Sequence, residues 1–277
     1  MNDVETTNET IELVKTKEQS WKELLPNVQP VNMAYGVIGE WHLSDKIGVM
    51  NVETGKLLGM RSDKYRFVPH EVGLNFVEEM VIKHAAVLGD YDVNVALHNE
   101  GQRMKATFCF VDAKYEVRKD DTVNPTVEYW NSYDGSWAEK LTFGAYRLVC
   151  KNGLLVGEKF ATTRAIHVGE RPEDFLLDID KAVLNFEKQA DLWKAWSDTV
   201  AKKKDIEGVL VAFPDATQEK IIAAIEALGK PESAVTIWEL YNVLTQISTH
   251  ETKSLQSRVN MEKTIAQVSE SWTALAA

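Results

Sequence analysis

Arg61, Lys64 and Arg66 bracket Tyr65 in one polar stretch, Arg61-Ser-Asp-Lys-Tyr-Arg66. Cations able to hold phosphate, beside an aromatic face able to stack a base, make a residue set suited to single-stranded nucleic acid. The blander alternative is a solvated loop with one tyrosine packed down. Arg147 and Lys151 form a second candidate pair, one turn apart on a short helix expected over residues 147–152. They could grip a phosphate, or Arg147 could fix the neighbouring turn by pairing with an acid such as Asp134, leaving Lys151 as the more exposed cation. Arg164, His167 and Arg171 lie on the strand and loop that follow. Residues three apart on a regular strand point to opposite faces, so spacing alone does not unite Arg164 and His167.

Nucleophilic and acid–base chemistry finds less support. Cys150 sits among Leu148, Val149 and Leu154 with no histidine in local reach, which suits a buried structural thiol. His42 with Asp45, and His70 with Glu71, match no metal or triad spacing. The run Gly153-Leu-Leu-Val-Gly157 lacks the Lys-Ser/Thr ending of a phosphate loop. The expectation is therefore a protein with no catalytic residues, no metal and no cofactor.

The elements that must position these residues are legible from patterning. Asp134-Gly135 lies between two apolar-rich runs, 127–133 and 137–143, and is expected to form a type I′ hairpin turn. Asn152-Gly153 suits a left-handed cap on the preceding helix. Residues 1–20 are acidic and aperiodic, the expected disordered lead. Residues 31–52 read as mostly extended, with Tyr35, Val37, Trp41, Leu43, Ile47 and Val49 alternating, and Thr54-Gly55 turns the chain back. A helix is expected over 71–88, a hairpin over 93–97 and 104–111, a solvated loop at 118–121 and a strand over 162–168. Beyond Gly169 the period changes to three-four. Helices are expected over about 172–204, 218–228 and 251–275, with one opened by the capping box Thr236-Ile-Trp-Glu239. The trio Lys202-Lys-Lys204 is expected at a helix C-terminus, where the dipole favours cations. The reading is an α+β fold: an antiparallel strand meander with a packed helix over 21–171, then an all-helical C-terminal region over 172–277.

The chain has 277 residues, 44% hydrophobic and 26% charged, with two cysteines, as in an ordinary globular protein without a disulfide framework. No apolar run reaches membrane-span length, and the start lacks a signal-peptide layout, so a cytoplasmic location with no membrane partner is expected. A net charge of −11 opposes a surface coated in nucleic acid. The acid excess is concentrated in residues 1–20 and 205–277, however, leaving the middle near neutral and able to carry a local basic face.

Three phrases carry a resemblance: Asn131-Ser-Tyr-Asp-Gly-Ser136, Arg147-Leu-Val-Cys-Lys-Asn-Gly-Leu154 and Ile166-His-Val-Gly169. With Glu53-Thr-Gly-Lys-Leu-Leu-Gly-Met-Arg-Ser-Asp-Lys-Tyr65 upstream and Glu239-Leu-Tyr-Asn-Val-Leu-Thr245 downstream, the chain resembles, over most of 35–250, the phage/plasmid-like family built on domain of unknown function 932. Asn-Gly-Leu stands here where many members have Asn-Thr-Leu. The resemblance implies a phage or mobile-element origin and no established activity. A strand meander with a packed helix ahead of a helical tail is also similar in arrangement to single-strand annealing proteins. That likeness implies binding of single-stranded DNA by a homo-oligomer joined through its C-terminal helices. The competing expectation, from the acidity and the apolar tail helices, is a protein-binding or structural assembly factor acting on a host system.

Overall fold

The structure, a computed structural model, describes residues 11–15, 21–147, 152–154, 162–170, 175, 178–252 and 255–273. It divides into two units, one of residues 1–111, 127–142 and 162–178, the other of residues 112–126, 143–161 and 179–277.

The first unit holds two antiparallel sheets. The smaller runs β2 (Val28–Val37), β3 (Glu40–Asn51) and β4 (Leu57–Ser62). The extended stretch expected over 31–52 is thus two strands, broken at Ile38 and Gly39, both at positive φ. The larger sheet is built on β1 (Ile11–Lys15), β5 (Tyr91–His98), β6 (Arg103–Phe110), β8 (Asp121–Ser132), β9 (Glu139–Arg147) and β11 (Thr162–Ala165). Strand β1 lies inside the stretch expected to be a disordered lead and pairs with β5. Strands β8 and β9 continue from the first unit into the second.

Alternation explains the larger sheet's two faces. In β6, Met104, Ala106, Phe108 and Phe110 are buried, while Arg103, Lys105, Thr107 and Cys109 occupy the other face. Helix α1 (His70–Leu88) supplies Leu74, Val77, Met80 and Val81 to the core. Gly73 lets it approach β8 closely, since a Cβ there would stand 1.9 Å from the Tyr129 hydroxyl.

In the second unit, β7 (Tyr115–Arg118) pairs with β8, and β10 (Asn152–Leu154) pairs with β9. Arg147 and Asn152, the two ends of the helix expected over residues 147–152, are strand residues instead, and 148–151 lie outside the described residues. Arg147 pairs with Asn152 and Tyr146 with Gly153 across a strand ladder. With β9 alongside to pair with, Asn152-Gly153 is strand where the pair by itself suits a helix cap. The loop expected at 118–121 is a turn into β8 whose Asp121 is buried, accepting from Trp238 Nε1 at 2.9 Å and facing Arg118 Nε at 3.3 Å.

The regular elements from residue 179 onward are helices: α2 (Ile179–Asp198), α3 (Lys203–Val211), α4 (Asp215–Glu226), α5 (Ile237–Gln246) and α6 (Leu255–Glu270), with a π-helical turn at Ile247–Glu251. Trp193 and Trp196 of α2 meet Trp238 and Tyr241 of α5, and Trp272 packs edge-on against Trp196. The Lys202 trio opens α3 instead of closing α2. A bridge between Val200 and Thr236 draws the chain out of the helix, and Asp205 accepts from the Lys202 backbone N–H at 2.8 Å. The capping box opens α5 as expected: Thr236 Oγ1 accepts from Glu239 N, and Glu239 Oε2 accepts from Thr236 N. Thr236→Ala should therefore cost about 1 kcal/mol, read as a lower urea midpoint.

Candidate functional site

The phrase Asn131-Ser-Tyr-Asp-Gly-Ser136 sits where β8 ends, and it organises three chain segments. Asn131 Nδ2 donates to the Val68 carbonyl at 2.9 Å and to His70 Nδ1 at 3.1 Å. Fully buried His70 gives its Nε2 proton to the Gly101 carbonyl at 2.9 Å, so Nδ1 is the lone pair that Asn131 fills. Tyr133 stacks on the imidazole at 3.9 Å, and its hydroxyl accepts from the His70 backbone N–H. Burial drives the His70 pKa down to about 3, against a smaller opposing pull from the Gly101 carbonyl. With both nitrogens engaged, His70 positions loops and has no free atom for proton transfer.

The turn itself differs from a type I′ geometry. Gly135 is left-handed at φ 63, but Asp134 is not among the positive-φ residues. The Asp134 carboxylate instead accepts from Ser136 N and Ser136 Oγ through Oδ1, and from Arg103 Nε at 2.7 Å through Oδ2. Asp134 thus takes Arg103 as its cation. Although burial raises its pKa, these donors outweigh that and hold the carboxyl below its ordinary value.

Beside this hub the chain gathers Arg61, Tyr65, Arg66 and His167. The Tyr65 ring stacks on His167 at 4.8 Å, and its hydroxyl donates to the Ser132 carbonyl at 2.6 Å. Arg66 Nη2 meets Glu139 Oε2 at 3.1 Å and the Ile166 carbonyl at 3.2 Å, and Tyr129 donates to the other oxygen of Glu139. Arg66 and His167 are also joined by backbone: Arg66 N donates to the His167 carbonyl, and His167 Nδ1 lies 3.1 Å from the Arg66 carbonyl. Arg61 lies against Gly135, at the end of β4. Burial lowers the His167 pKa, while the Arg66 carbonyl and Glu139 pull it back up. Three nitrogens here are buried without a hydrogen-bond partner among the described residues: Arg61 Nε, Arg66 Nε and His167 Nε2.

A second arrangement occupies the face of the larger sheet opposite α1. Lys105 and Lys140 lie 4.9 Å and 4.6 Å from the Trp130 ring centre, and Trp137 meets Trp130 edge-on at 5.1 Å. Arg103 stands over Trp137 at 5.8 Å, and exposed Arg164 is the cross-strand partner of Lys140. Lys105 also pairs with Glu128 at 2.6 Å. Cations of β6, β9 and β11 thus lie around the Trp130 and Trp137 indoles.

The family model for the domain of unknown function DUF932 matches residues 57–272, most of the chain. The chain belongs to the DUF932 family. Comparison of this DUF932 protein with curated proteins, and with solved structures, finds no match.

Of the positions singled out by sequence in this DUF932 protein, Arg61, Tyr65, Arg66 and His167 meet in one cluster. Lys64 is exposed next to them, and Arg164 is exposed on β11. The Arg147 side chain, Lys151, Cys150 and Arg171 lie outside the described residues. Sequence reading missed the cationic sheet face. Half of its signal was present in the alternation of Arg103 and Lys105 with buried apolar residues. The other half required the register that brings Trp130 and Lys140 beside them. Among the described residues, no group of three or more His, Cys, Asp or Glu side chains could hold a metal, and no helix is long and apolar enough to cross a membrane.

Proposed function

We propose that this DUF932 protein binds single-stranded DNA across the face of its larger sheet opposite α1, with the Arg61–His167 cluster at the edge. The observation that carries the reading is the interleaving of Arg103, Lys105, Lys140 and Arg164 with Trp130 and Trp137 on one sheet face. Cations neutralise backbone phosphates, and the indole faces now covered by lysine stems are the surfaces on which bases stack once the lysines turn to phosphate. Annealing or recombination by an oligomer, in a phage or related element, is the fuller form of the proposal. Its support is the likeness to single-strand annealing proteins.

Anisotropy of a labelled single strand across a salt series tests it. Affinity should fall with salt by roughly 0.7 log units per log unit of salt for each phosphate contact, and Arg164→Gln or Lys140→Gln should each lower that slope by about one contact. Trp137→Ala should cost on the order of 1–3 kcal/mol with little change in slope. No binding even at low salt ends the proposal.

A second reading, a protein-binding assembly factor, is favoured by one observation. The β2–β3 hairpin exposes Trp41 by 79% and Leu43 by 78%, and Ile38 is fully exposed at its tip. Capture from host lysate that returns only the bait would count against it.

A further inference from the structure

We infer that Arg61, Arg66 and His167 form a binding site for a phosphate monoester, the terminal phosphate of a strand or the free ion. This deepens the single-strand reading by naming the part of the ligand the cluster takes, and its nucleic-acid arm rests on that reading. Three buried nitrogens of these residues lack partners among the described residues. Buried polar groups are nearly always satisfied, so three orphans on residues gathered beside one tyrosine ring mark a place where hydrogen-bond partners are wanting. Tyr65 lies within the electrostatic reach of both arginines, and so does His167, which is stacked on it. His167 is itself only 5% exposed.

Charge selects an anion. Glu139 neutralises Arg66. Arg61 has no carboxylate within ion-pair distance among the described residues, and Asp134, the acid that also acts on Tyr65, is saturated by Arg103 and Ser136. A half-buried guanidinium without a counter-ion is costly, and an oxyanion relieves that cost.

Hydrogen-bond polarity selects the kind of anion. His167 Nδ1 donates to the Arg66 carbonyl, so in the neutral ring Nε2 presents a lone pair and needs a donor. The two arginine Nε–H groups need acceptors. A phosphate monoester has both, one P–OH hydroxyl for Nε2 and further oxygens for the arginines. Its second ionisation lies near pH 6, so the hydroxyl is present in a usable fraction around neutrality. A phosphodiester and a sulfate offer no such hydroxyl, so internal phosphates of a strand match the site less well than its end.

Inorganic phosphate and sulfate are titrated against the full chain, following the His167 imidazole signals and the thermal midpoint. In parallel, 5′-phosphorylated and 5′-hydroxyl single strands are compared by anisotropy. The expected result is saturable binding of phosphate in preference to sulfate, with shifted His167 signals and about tenfold tighter binding of the phosphorylated strand. Arg61→Gln should abolish both preferences, so that phosphorylated and 5′-hydroxyl strands bind alike. Among the described residues no other side chain is bonded to Arg61, so this variant should fold, which circular dichroism checks. Equal response to phosphate and sulfate, or a preference that survives in Arg61→Gln, overturns the inference. Loss of 5′-hydroxyl binding in the wild type, with phosphate still selected over sulfate, removes the sheet-face reading and leaves the site standing.

Discussion

Gly59→Ala should destabilise the protein by about 3 kcal/mol or more, near the upper end for overpacking. Gly59 lies in β4 opposite Val49, and a Cβ added there would stand 2.3 Å from the Tyr133 carbonyl oxygen and 2.7 Å from its carbon. Those are backbone atoms and cannot rotate away. Tyr133 N is tied to the Gln102 carbonyl at 2.7 Å, and the next residue is fixed by Arg103 and Ser136. The clash would push the small sheet off the hub, separating Val49 and Leu58 from Tyr133. Gly208→Ala is the control. Nothing lies within 4 Å of its Cβ position in α3, so helix propensity alone should stabilise the protein by up to about 1 kcal/mol. Urea midpoints for both variants check the contrast. A Gly59→Ala cost under about 1 kcal/mol would show that the Tyr133 backbone yields and is no anchor.

Stability should also fall steeply as pH drops from about 6.5 toward 3, and His70 should account for much of the slope. Its ring is neutral and fully buried, with a folded pKa of about 3 against an ordinary 6.5. Between those values the unfolded chain binds a proton that the folded chain does not, so stability rises with pH across this window. The contribution is fully present above about pH 6.5 and is lost as pH falls. Over the whole window it amounts to about 4–5 kcal/mol. His167, also lowered by burial, acts in the same direction. Glu239 acts at lower pH. Burial raises its pKa, but Lys230, the Thr236 N–H and Arg118 outweigh that and bring it to about 2, so its contribution is held above about pH 4.5 and lost toward 2. Urea unfolding of wild type and His70→Gln at several values from pH 7.5 to 4 isolates the histidine. The variant should be less stable at neutral pH, because Asn131 and Gly101 lose their partner, yet flatter with pH. Parallel slopes would remove His70 from the account.

These two effects lie on either side of what local pattern can reveal. Sequence by itself determined the α+β class, helix α1, the β5–β6 hairpin, the hairpin at Asp134-Gly135 and the Thr236 capping box. Each depends on periodicity or on a turn residue whose conformational preference acts within a few positions. It also placed Arg61, Tyr65 and Arg66 together, because they are neighbours in the chain.

Tertiary structure alone decided the rest. His70 and His167 are distant in sequence, yet Asn131 fixes one ring's tautomer and the Arg66 carbonyl orients the other. Strand β10 formed where a cap pair suggested a helix, because a partner strand was present to pair with it. Trp41 and Leu43 carry the alternation of a half-buried strand yet stand in solvent, since alternation assigns a side chain to a face and says nothing about what covers that face. The basic face behaves likewise. Arg103 and Lys105 share it by period, but only strand register brings Trp130 and Lys140 across from them. Short-range preferences are written residue by residue, whereas burial, ion pairing and register are properties of whichever segments the fold brings alongside.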